Sequence, residues 1–578
     1  MLTKIIEAVI LFLVNWAAGM TAQAKTHRSK AGAEGNRKGN RKRRTHAEGA
    51  GLPAVDPPVV IGEIIPSARE ALRQRGAAPA VVSLTTEMRS KHLYLVAKSG
   101  MGKSNFNVQL IDSDISAGRA VVLLDYRGDL VDRVCRRLAA RYEPDEIATR
   151  LLLLDLRSPL GAGNPAEGVL GEGTFTVGFN PLAQCGRTPY ARGLFMYDLF
   201  QQSFGAALGV QTSETLQNCL LALALTGGTL LDIEPLLSCA PFRTQTLDRI
   251  EDSSIHRFFA RLDALPEAQR TLWVNPIQNK LAPYTVNPIL RYVLGSSRSV
   301  SIPDFLDKCP NAIVLFCAGG DEHYGSTAVL MSNLFVHAVA SAVMRTDRAS
   351  QHPVHLFADE FQNLCSDKFS EIISEGRRFG LSLTLSHQSP GQLEPKIRNL
   401  VRNVVSTSLF GGLGGQDAEL LAGEIPSAEP KTVLRTLLIN QKPGEAMLLR
   451  QGMAAVRIRT AYAPDPKVSE ARVQALRQAS LHRHGRPVRE VEAELFARDA
   501  LFDPPAFRKA PVGVAGESKA AGPARPRGQD RKKSPASRKA ADLRTTDKYE
   551  VRDIYEVRDI QETQDIKIHD EEALSDDQ

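Results

Sequence analysis

Residues 97–104 read Ala-Lys-Ser-Gly-Met-Gly-Lys-Ser, an order of residue types that suits the binding of a nucleoside triphosphate. They follow a predicted strand over residues 92–97 and open a predicted helix over residues 103–117. Glycines let successive backbone N–H groups converge on phosphate oxygens, and the positive end of a helix adds to the attraction. The predicted nucleotide-binding residues are Ala97, Ser99, Gly100, Met101, Gly102, Lys103, Ser104 and Asn105.

Two residues of this loop have specific expected roles. Lys103 is predicted to reach the β and γ phosphates, and the Ser104 hydroxyl to bind Mg²⁺. The predicted cofactors are therefore ATP and Mg²⁺. Ala97 replaces the first glycine of the usual pattern. A chance Gly-Lys-Ser loop is the alternative interpretation, and the strand before the loop and the helix after it argue against it.

An acidic pair ends a second apolar run, at residues 354–358. We expect Asp359 to hold the metal through water and Glu360 to polarise the attacking water, an arrangement that suits hydrolysis rather than transfer to an acceptor. In the alternative interpretation, the two acids only cap the helix that follows.

Two further candidates flank the predicted strand over residues 381–386. Gln388 follows the strand and is a candidate sensor of the γ phosphate. Arg377 and Arg378 precede the strand. In ring-shaped motors such an arginine reaches the nucleotide of a neighbouring subunit and stabilises charge in the transition state, and Arg377 is our candidate for this role. Surface charge or a salt bridge is the alternative for both arginines.

The elements that must position these residues alternate between short apolar runs and helical patterns. Several of the runs are nearly continuous Leu, Val and Ile, as expected for strands that are buried on both faces. The sequence therefore predicts an α/β fold with a mostly parallel sheet. The predicted strands are residues 92–97, 120–125, 151–156, 312–317, 354–358, 381–386 and 404–410.

The 578 residues divide into seven predicted segments. Residues 185–295 show helical spacing without a convincing strand, which predicts an all-α insertion in the sheet domain. The segments are a possible membrane anchor (1–24), a basic disordered arm (25–60), the first part of the nucleotide-binding domain (61–184), the insertion (185–295), the second part of the nucleotide-binding domain (296–465), a C-terminal helical segment (466–510), and a disordered basic linker with an acidic repeat tail (511–578).

Composition excludes several classes of protein. With 43% hydrophobic and 24% charged residues, the chain is not a polytopic membrane protein, a fibrous repeat or a wholly disordered protein. The seven cysteines form no Cys-x-x-Cys pair, which excludes a zinc ribbon and favours a reducing compartment. The net charge of +7 comes from two basic stretches, residues 25–47 and 519–544, while residues 547–578 are acidic.

The two ends of the chain leave alternatives open. Residues 5–24 are apolar enough for a marginal membrane anchor, and a cleavable signal peptide and a surface amphipathic helix are the other interpretations. The hexapeptide Tyr-Glu-Val-Arg-Asp-Ile occurs at residues 549–554 and again at 555–560. A solvated acidic tail and a peptide docking site for a partner both fit this repeat.

Four motifs follow one another along the chain. They are Leu-Leu-Asp-Tyr-Arg-Gly-Asp at residues 123–129, Phe-Asn-Pro-Leu at 179–182, Ala-Asp-Glu-Phe-Gln-Asn at 358–363, and the segment 375–388 with Arg377 and Gln388. A turn that caps a helix is the simpler interpretation of the first motif. In this order, the motifs resemble the type IV secretion coupling proteins and their relatives among the ring-forming DNA translocases. The resemblance covers roughly residues 90–465.

This resemblance implies a RecA-like P-loop NTPase motor whose six subunits form a ring that pumps DNA without reading its sequence. It implies that Lys103 and Ser104 bind nucleotide and metal, that Asp359 and Glu360 serve hydrolysis, and that Gln388 and Arg377 act as sensor and trans-acting arginine. The implied partners are a homo-hexamer, DNA, a relaxase or other DNA-processing proteins, and secretion channel components at the cytoplasmic face of the inner membrane.

Three functions remain open on the sequence. The first is a DNA translocase that couples DNA to a conjugative secretion channel. The second is a soluble DNA-translocating ATPase that works in repair, partition or packaging, and is cytoplasmic. The third is a nucleotide-gated adaptor, in which ATP binding assembles a ring and the tails recruit other proteins.

Overall fold

The computed structural model describes residues 58–66, 78, 80–157, 174–184, 188–204, 208–344, 353–364, 367–427 and 429–499. The predicted membrane anchor, nearly all of the predicted basic arm, and the predicted basic linker with its acidic repeat tail lie outside the described residues. The described part is an α/β fold, as the sequence predicts. Its strands are β1 (Val59–Ile64), β2 (Val81–Leu84), β3 (Leu93–Ala97), β4 (Ala120–Asp125), β5 (Leu151–Asp155), β6 (Phe175–Thr176), β7 (Ile313–Cys317), β8 (Val354–Asp359), β9 (Leu381–His387), β10 (Thr407–Gly411), β11 (Glu445–Arg450), β12 (Val456–Thr460) and β13 (Arg486–Pro487).

Helices cover the strands and fill the longer connections between them. The helix Val210–Thr226, for example, is rich in Leu, Ala and Gln, residues that lose little side-chain freedom in a helix. The helices are α1 (Thr86–Ser90), α2 (Lys103–Ser116), α3 (Asp129–Arg141), α4 (Pro144–Ala148), α5 (Pro181–Gln184), α6 (Pro189–Phe204), α7 (Val210–Thr226), α8 (Ile233–Ser238), α9 (Ala240–Leu247), α10 (Ser253–Asp263), α11 (Glu267–Thr285), α12 (Pro288–Gly295), α13 (Ile302–Lys308), α14 (Gly320–His323), α15 (Ser326–Val343), α16 (Asp367–Glu375), α17 (Pro395–Val404), α18 (Gly415–Ala422), α19 (Lys431–Ile439), α20 (Glu470–His484) and α21 (Val488–Asp499).

The central sheet has eleven strands in the order β2-β1-β12-β11-β10-β3-β9-β8-β4-β7-β5. The seven strands from β10 to β5 are parallel. Their side chains alternate between two cores, so that Val122 of β4 packs on one face and Val121 and Leu123 pack on the other. Burial on both faces explains why several of these strands, such as β4 and β5, read as continuous aliphatic runs.

The seven predicted strands correspond to these seven parallel strands, with small differences at their ends. The largest difference is in β10, which begins at Thr407 rather than at residue 404. Helix α17 extends to Val404, and Val405 caps its end in extended backbone, so the strand starts only after the helix has closed.

Four strands extend the sheet in antiparallel fashion, and the sequence did not predict them. β11 pairs with β10, β12 with β11, β1 with β12, and β2 with β1. β1, β2 and β12 are partly exposed, so they carry a weaker apolar signal than the central strands. β1 begins at Val59, so the sheet starts within the range predicted for the basic arm. The arm's last two residues are therefore strand, and they pair with Leu84 and Ser83 of β2.

Among the described residues of the predicted insertion, the structure contains helices and no strand. These helices share one hydrophobic core with one face of the sheet, for example through Phe200 of α6 and Phe259 of α10. The boundaries of the insertion as a separate domain stay a prediction, because the core is continuous with that of the sheet.

Helix α20 covers the outer edge of the sheet. The Ser480 hydroxyl accepts a hydrogen bond from the backbone N–H of Leu153 at 3.1 Å and donates to the carbonyl of Leu151 at 2.8 Å, so it pairs the free edge of β5. Arg477 donates to Asp155 at 2.9 Å and to Asp132 at 2.5 Å. The described part of the predicted C-terminal helical segment thus packs on the central sheet.

One described helix is long and apolar enough to cross a membrane by length and composition. This helix is α15. Its 18 residues have a mean hydropathy of 1.5, and 83% of this segment is buried inside the protein. Phe335 of this helix stacks on Phe316 of β7, with 4.3 Å between ring centroids. We therefore assign α15 to the core of the fold.

A buried ion pair ties α1 to α2 beneath the sheet. Asp114 is fully buried and accepts hydrogen bonds from both Arg89, itself 2% exposed, and Arg119. Burial alone would raise the pKa of Asp114, but the charges of His355 and Arg89 and the hydrogen bonds from both arginines outweigh it and lower the pKa. The carboxylate is therefore ionised in the folded state at neutral pH.

This cluster predicts a large difference between two aspartates on the same helix. Asp114→Asn should lower the free energy of unfolding by about 3–5 kcal/mol, because it leaves buried arginine charge without compensation. Asp112→Asn is the matched control: Asp112 pairs with Arg141 at the surface, at 2.9 Å, and its loss should cost less than about 1 kcal/mol. Urea unfolding of both variants at pH 7 measures the difference.

The contribution of Asp114 to the free energy of unfolding depends on pH with a defined sign. Because the pKa of Asp114 is lowered on folding, its contribution is fully present above the ordinary value of 3.8 and is lost as the pH falls through the folded pKa. The gap between wild type and Asp114→Asn should therefore narrow only below about pH 4. Equal losses from Asp114→Asn and Asp112→Asn would contradict the assignment.

Candidate active site

The predicted phosphate-binding loop connects the end of β3 to the start of α2. Gly100 and Gly102 adopt left-handed backbone conformations, with φ of 80° and 101°, which favour glycine. Gly102 precedes the first residue of α2, and no side chain of the described residues caps that N-terminus. The first N–H groups of the helix are therefore available to an anion, as the sequence predicts.

Backbone hydrogen bonds from the segments that follow β10 and precede β11 hold the phosphate-binding loop. The backbone N–H of Lys98 donates to the carbonyl of Gly412 at 3.3 Å, and that of Gly444 donates to Met101 at 3.1 Å. A Cβ atom at Gly412 would lie 2.3 Å from the Met101 side chain. The loop between β10 and α18 and the turn before β11 thus hold the phosphate-binding loop in place.

Most of the predicted nucleotide-binding residues line one open cleft of about 820 Å³ at the carboxyl edge of the sheet. Two predicted residues do not line it. Ala97 is buried at the end of β3 beside Gly411, and the Met101 side chain packs towards Gly412. The predicted residues that line the cleft are Ser99, Gly100, Gly102, Lys103, Ser104, Asn105, Asp359, Glu360 and Gln388.

Asn105 has an additional structural contact. Its amide donates to the carbonyl of Ala461 at 3.0 Å and accepts from the N–H of Ala463 at 3.2 Å. This side chain therefore tethers the segment after β12 to α2, beside the cleft.

The acidic pair lies directly opposite the lysine of the loop. The Lys103 ammonium donates a hydrogen bond to Asp359 Oδ1, and its Nζ lies 3.4 Å from Glu360 Oε1. Asp359 is level with Ser386 in the pairing of β8 with β9, and the Ser386 hydroxyl donates to Asp359 at 2.7 Å. The residues of β3, β8 and β9 thus meet at one point, although more than 250 residues separate the lysine from the acids.

Glu360 is held in an unusual backbone conformation. Its φ is 52°, in the left-handed region that non-glycine residues rarely adopt. The Gln388 amide donates to Glu360 Oε1 at 3.0 Å, and the Gln362 amide donates to Oε2 at 2.9 Å. Strained residues of this kind persist where their surroundings fix them, and they cluster at functional sites.

The contacts also set the charge states of the site. Burial would lower the pKa of Lys103, but the charges of Asp359 and Glu360 and the hydrogen bonds to both outweigh it and raise the pKa. Burial would raise the pKa of Glu360, but the Lys103 charge, followed by the hydrogen bonds from Gln362, Gln388 and Lys103, lowers it. At neutral pH the site therefore holds an ammonium beside an ionised glutamate.

The two candidates beside β9 lie at opposite edges of the sheet. Gln388 follows the carboxyl end of β9 and touches Glu360. Arg377 lies in an exposed turn before the amino end of the same strand. Seven strand residues span about 23 Å, so Arg377 does not reach the cleft of its own chain. Its predicted action on a neighbouring subunit stays a prediction.

Five residues line the cleft without having been predicted as site residues. Asp125 is the best fixed of them: its carboxylate accepts hydrogen bonds from the backbone N–H groups of Leu130 at 2.7 Å and Val131 at 2.9 Å, so it caps α3. Burial, followed by the charge of Asp359, raises the pKa of Asp125 to about 6. The turn after β4 was noted in the sequence, but its place beside β8 follows only from the strand order. The five residues are Lys98, Asp125, Arg127, Asp129 and Arg133.

The residues present fit Mg²⁺ together with a nucleotide. No group of three or more His, Cys, Asp or Glu side chains suited to a metal occurs among the described residues. Mg²⁺ does not need such a cage, because it is usually held by one or two protein oxygens, substrate phosphates and water. Ser104 and Asp359, both in the cleft, supply a hydroxyl and a carboxylate of the required kind.

A second cleft lies near Tyr94 and Phe410, between α17 and the strands β10 and β11. Arg398, Arg402 and Glu424 line its rim. Neither the phosphate-binding loop nor the acidic pair lines it, so we assign the nucleotide chemistry to the first cleft.

Comparison with known proteins finds one family model that matches part of the chain. Residues 353–421 match a family described as the TraM recognition site of TraD and TraG. This segment contains Asp359, Glu360, Arg377 and Gln388. A search of curated proteins finds no match.

Solved structures with a similar fold include two proteins of conjugation and secretion. The plasmid coupling protein TrwB in complex with ADP and Mg²⁺ is 13% identical, with 74% of this chain and 99% of that chain covered and a TM-score of 0.48. VirB4 of Thermoanaerobacter pseudethanolicus is 16% identical, with 72% and 99% covered and a TM-score of 0.47. These likenesses are distant and do not by themselves assign an activity to this chain. The family match covers residues 353–421, which contain the acidic pair and the candidate sensor. This match confirms the predicted resemblance to the type IV secretion coupling proteins.

Proposed function

We propose that this chain is a P-loop ATPase that uses ATP hydrolysis to move DNA and couples that DNA to a conjugative, type IV secretion channel. The observation that carries the ATPase assignment is the contact of Lys103 with Asp359 and Glu360 at the carboxyl ends of two parallel strands, β3 and β8, which flank β9 in the sheet. A lysine of a phosphate-binding loop beside an acidic pair suits the binding and hydrolysis of a triphosphate.

Each residue of the cleft has a chemical role in this proposal. The N–H groups at the start of α2 and the Lys103 ammonium bind the phosphates, which compete with the two carboxylates for the lysine. Ser104 and Asp359 hold Mg²⁺, which neutralises phosphate charge when it is bound. The ionised Glu360 accepts a hydrogen bond from the attacking water and orients it. Gln388, which already donates to Glu360, responds to the terminal phosphate.

The family match and the composition of the two ends of the chain support the DNA and membrane parts of the proposal. The basic stretches at residues 25–47 and 519–544 suit sequence-independent contacts with phosphates. A homo-hexameric ring gives Arg377 a neighbouring nucleotide to act on. The proposed partners are DNA, a relaxase or other DNA-processing proteins, and secretion channel components. The proposed location is the cytoplasmic face of the inner membrane, with residues 5–24 as the anchor.

The first test removes the lysine of the loop. Lys103→Ala should lower the rate of ATP hydrolysis by about 100-fold or more, because it removes the cation that contacts the phosphates in the transition state. Lys91→Ala is the matched control: Lys91 pairs with Glu87 at the surface at 3.1 Å, and its loss should leave the rate unchanged. A steady-state phosphate-release assay with and without DNA measures both. Hydrolysis by Lys103→Ala at the wild-type rate would disprove the assignment.

The second test separates hydrolysis from binding. Glu360→Gln should retain ATP binding, because Lys103 and Asp359 remain, but should lose hydrolysis by about 100-fold, because the amide cannot accept the proton of the water. A motor with this substitution should fail in DNA transfer between cells, whereas a nucleotide-gated adaptor should keep its activity. Transfer frequency, with nucleotide binding as the folding control, decides between them.

The third test concerns the location. A variant without residues 2–24 should move from the membrane fraction to the soluble fraction and should retain ATP hydrolysis, since the cleft lies far along the chain from this segment. Fractionation followed by immunoblotting measures the shift. Wild-type protein that is entirely soluble would favour a translocase without a channel, and would contradict the membrane part of the proposal.

A further inference from the structure

Arg127 is a charged residue of the cleft to which the proposed mechanism gives no role. It follows β4 by two residues, is exposed, and lines the same cleft as Lys103 and Glu360. Within the described part of the chain, its guanidinium makes no hydrogen bond and no ion pair. The side chain therefore presents a full positive charge at the mouth of the site.

The backbone that carries Arg127 is fixed on both sides. Its N–H donates to the Asp125 carboxylate at 3.1 Å, and the Tyr126 hydroxyl donates to Asp321 at 2.8 Å. Gly128 has φ of 107°, and a Cβ atom there would lie 2.2 Å from the Arg157 guanidinium. The turn thus holds the exposed Arg127 side chain on a constrained backbone. Such an arrangement is suitable for contact with a ligand.

The strand order places Arg127 next to the acidic pair. β8, which ends at Asp359, lies between β9 and β4. Gln388 extends beyond β9 on one side of Glu360, and Arg127 extends beyond β4 on the other. Both side chains line the cleft, so the end of β8 is flanked by an amide on one side and by a guanidinium on the other.

Two of the other cations that line the cleft, Lys103 and Arg133, already have partners among the described residues. Lys103 contacts Asp359 and Glu360, and Arg133 donates to both oxygens of Asp465, at 3.0 and 2.9 Å. A triphosphate brings several negative charges into a cleft that also contains these acids. A guanidinium suits such a ligand, because its planar fork makes charge-assisted, bidentate hydrogen bonds to phosphate oxygens.

We propose that Arg127 contacts the terminal phosphate of the nucleotide bound in its own chain, so that the site binds a triphosphate in preference to a diphosphate. This inference rests on the proposed function, since it requires a nucleotide in the cleft. It assigns to Arg127 a role in cis that is separate from the predicted role of Arg377 on a neighbouring subunit.

The test compares two nucleotides in full-length protein. Dissociation constants for a non-hydrolysable ATP analogue and for ADP, each with Mg²⁺, are measured by isothermal titration calorimetry. Arg127→Ala should weaken binding of the analogue roughly 10-fold or more, as expected for the loss of hydrogen bonds to a charged group, and should change ADP binding less than about 2-fold. Arg127→Lys should be intermediate, because it keeps the charge but loses the fork.

Arg136→Ala is the matched control. Arg136 lies on α3, does not line the cleft, and pairs with Glu470 at 3.1 Å in an exposed contact. Its loss should leave both dissociation constants unchanged. Thermal unfolding without nucleotide should give the same midpoint for Arg127→Ala and wild type, which separates a ligand contact from a structural role of the turn.

The outcomes distinguish the inference from the proposed function. If wild type binds both nucleotides and Arg127→Ala weakens them equally, or weakens neither, the inference is wrong and the proposed function stands. If wild type binds neither nucleotide, the proposed function is wrong and the inference fails with it. A selective loss of the analogue, with an unchanged unfolding midpoint, supports the inference.

Discussion

The contact between the Lys103 ammonium and the carboxylates of Asp359 and Glu360 is the interaction on which the site depends. All three residues are buried, with no more than 9% of each residue exposed, and an uncompensated charge would be costly there. The lysine comes from the loop after β3 and the acids from the end of β8, with β9 between these strands in the sheet. The pair therefore forms only when the parallel strands take this order, so the same contact compensates buried charge and aligns the groups required for chemistry.

The neighbours of this contact keep it ready for a phosphate ligand. Ser386 fixes Asp359, and Gln388 and Gln362 hold Glu360 despite its left-handed backbone. The N–H groups at the start of α2 have no side-chain cap among the described residues, so that end of the site lacks its counter-charge. A nucleotide phosphate would satisfy these donors and give Lys103 an alternative partner, which would release the two acids for metal and water.

Local signals were enough to predict most of the residues that line the cleft, whereas the other lining residues required the strand order. The loop, the acidic pair and Gln388 each follow a predicted strand, so residue type and position after that strand identified them. Asp125 and Arg127 belong to the site only because β4 pairs with β8, and pairing between distant segments leaves no mark in one sequence. The antiparallel strands β1, β2 and β12 were missed for a related reason, since short half-exposed strands depend on their partners for stability. The packing of Met101 on Gly412 likewise depends on a contact with a distant loop.

The two edges of the sheet impose a final constraint on how hydrolysis can be controlled. The cleft lies at the carboxyl edge, with Lys103, Glu360 and Gln388, whereas Arg377 precedes the amino end of β9 and is exposed. A strand of seven residues separates the two positions, and the buried side chains of β9 leave no path for an arginine between them. Within one chain, then, the positive charge near the acidic pair must come from its own edge, where Lys98, Lys103, Arg127 and Arg133 lie. Any action of Arg377 on a nucleotide requires a second copy of the chain, so hydrolysis that depended on Arg377 would also depend on assembly.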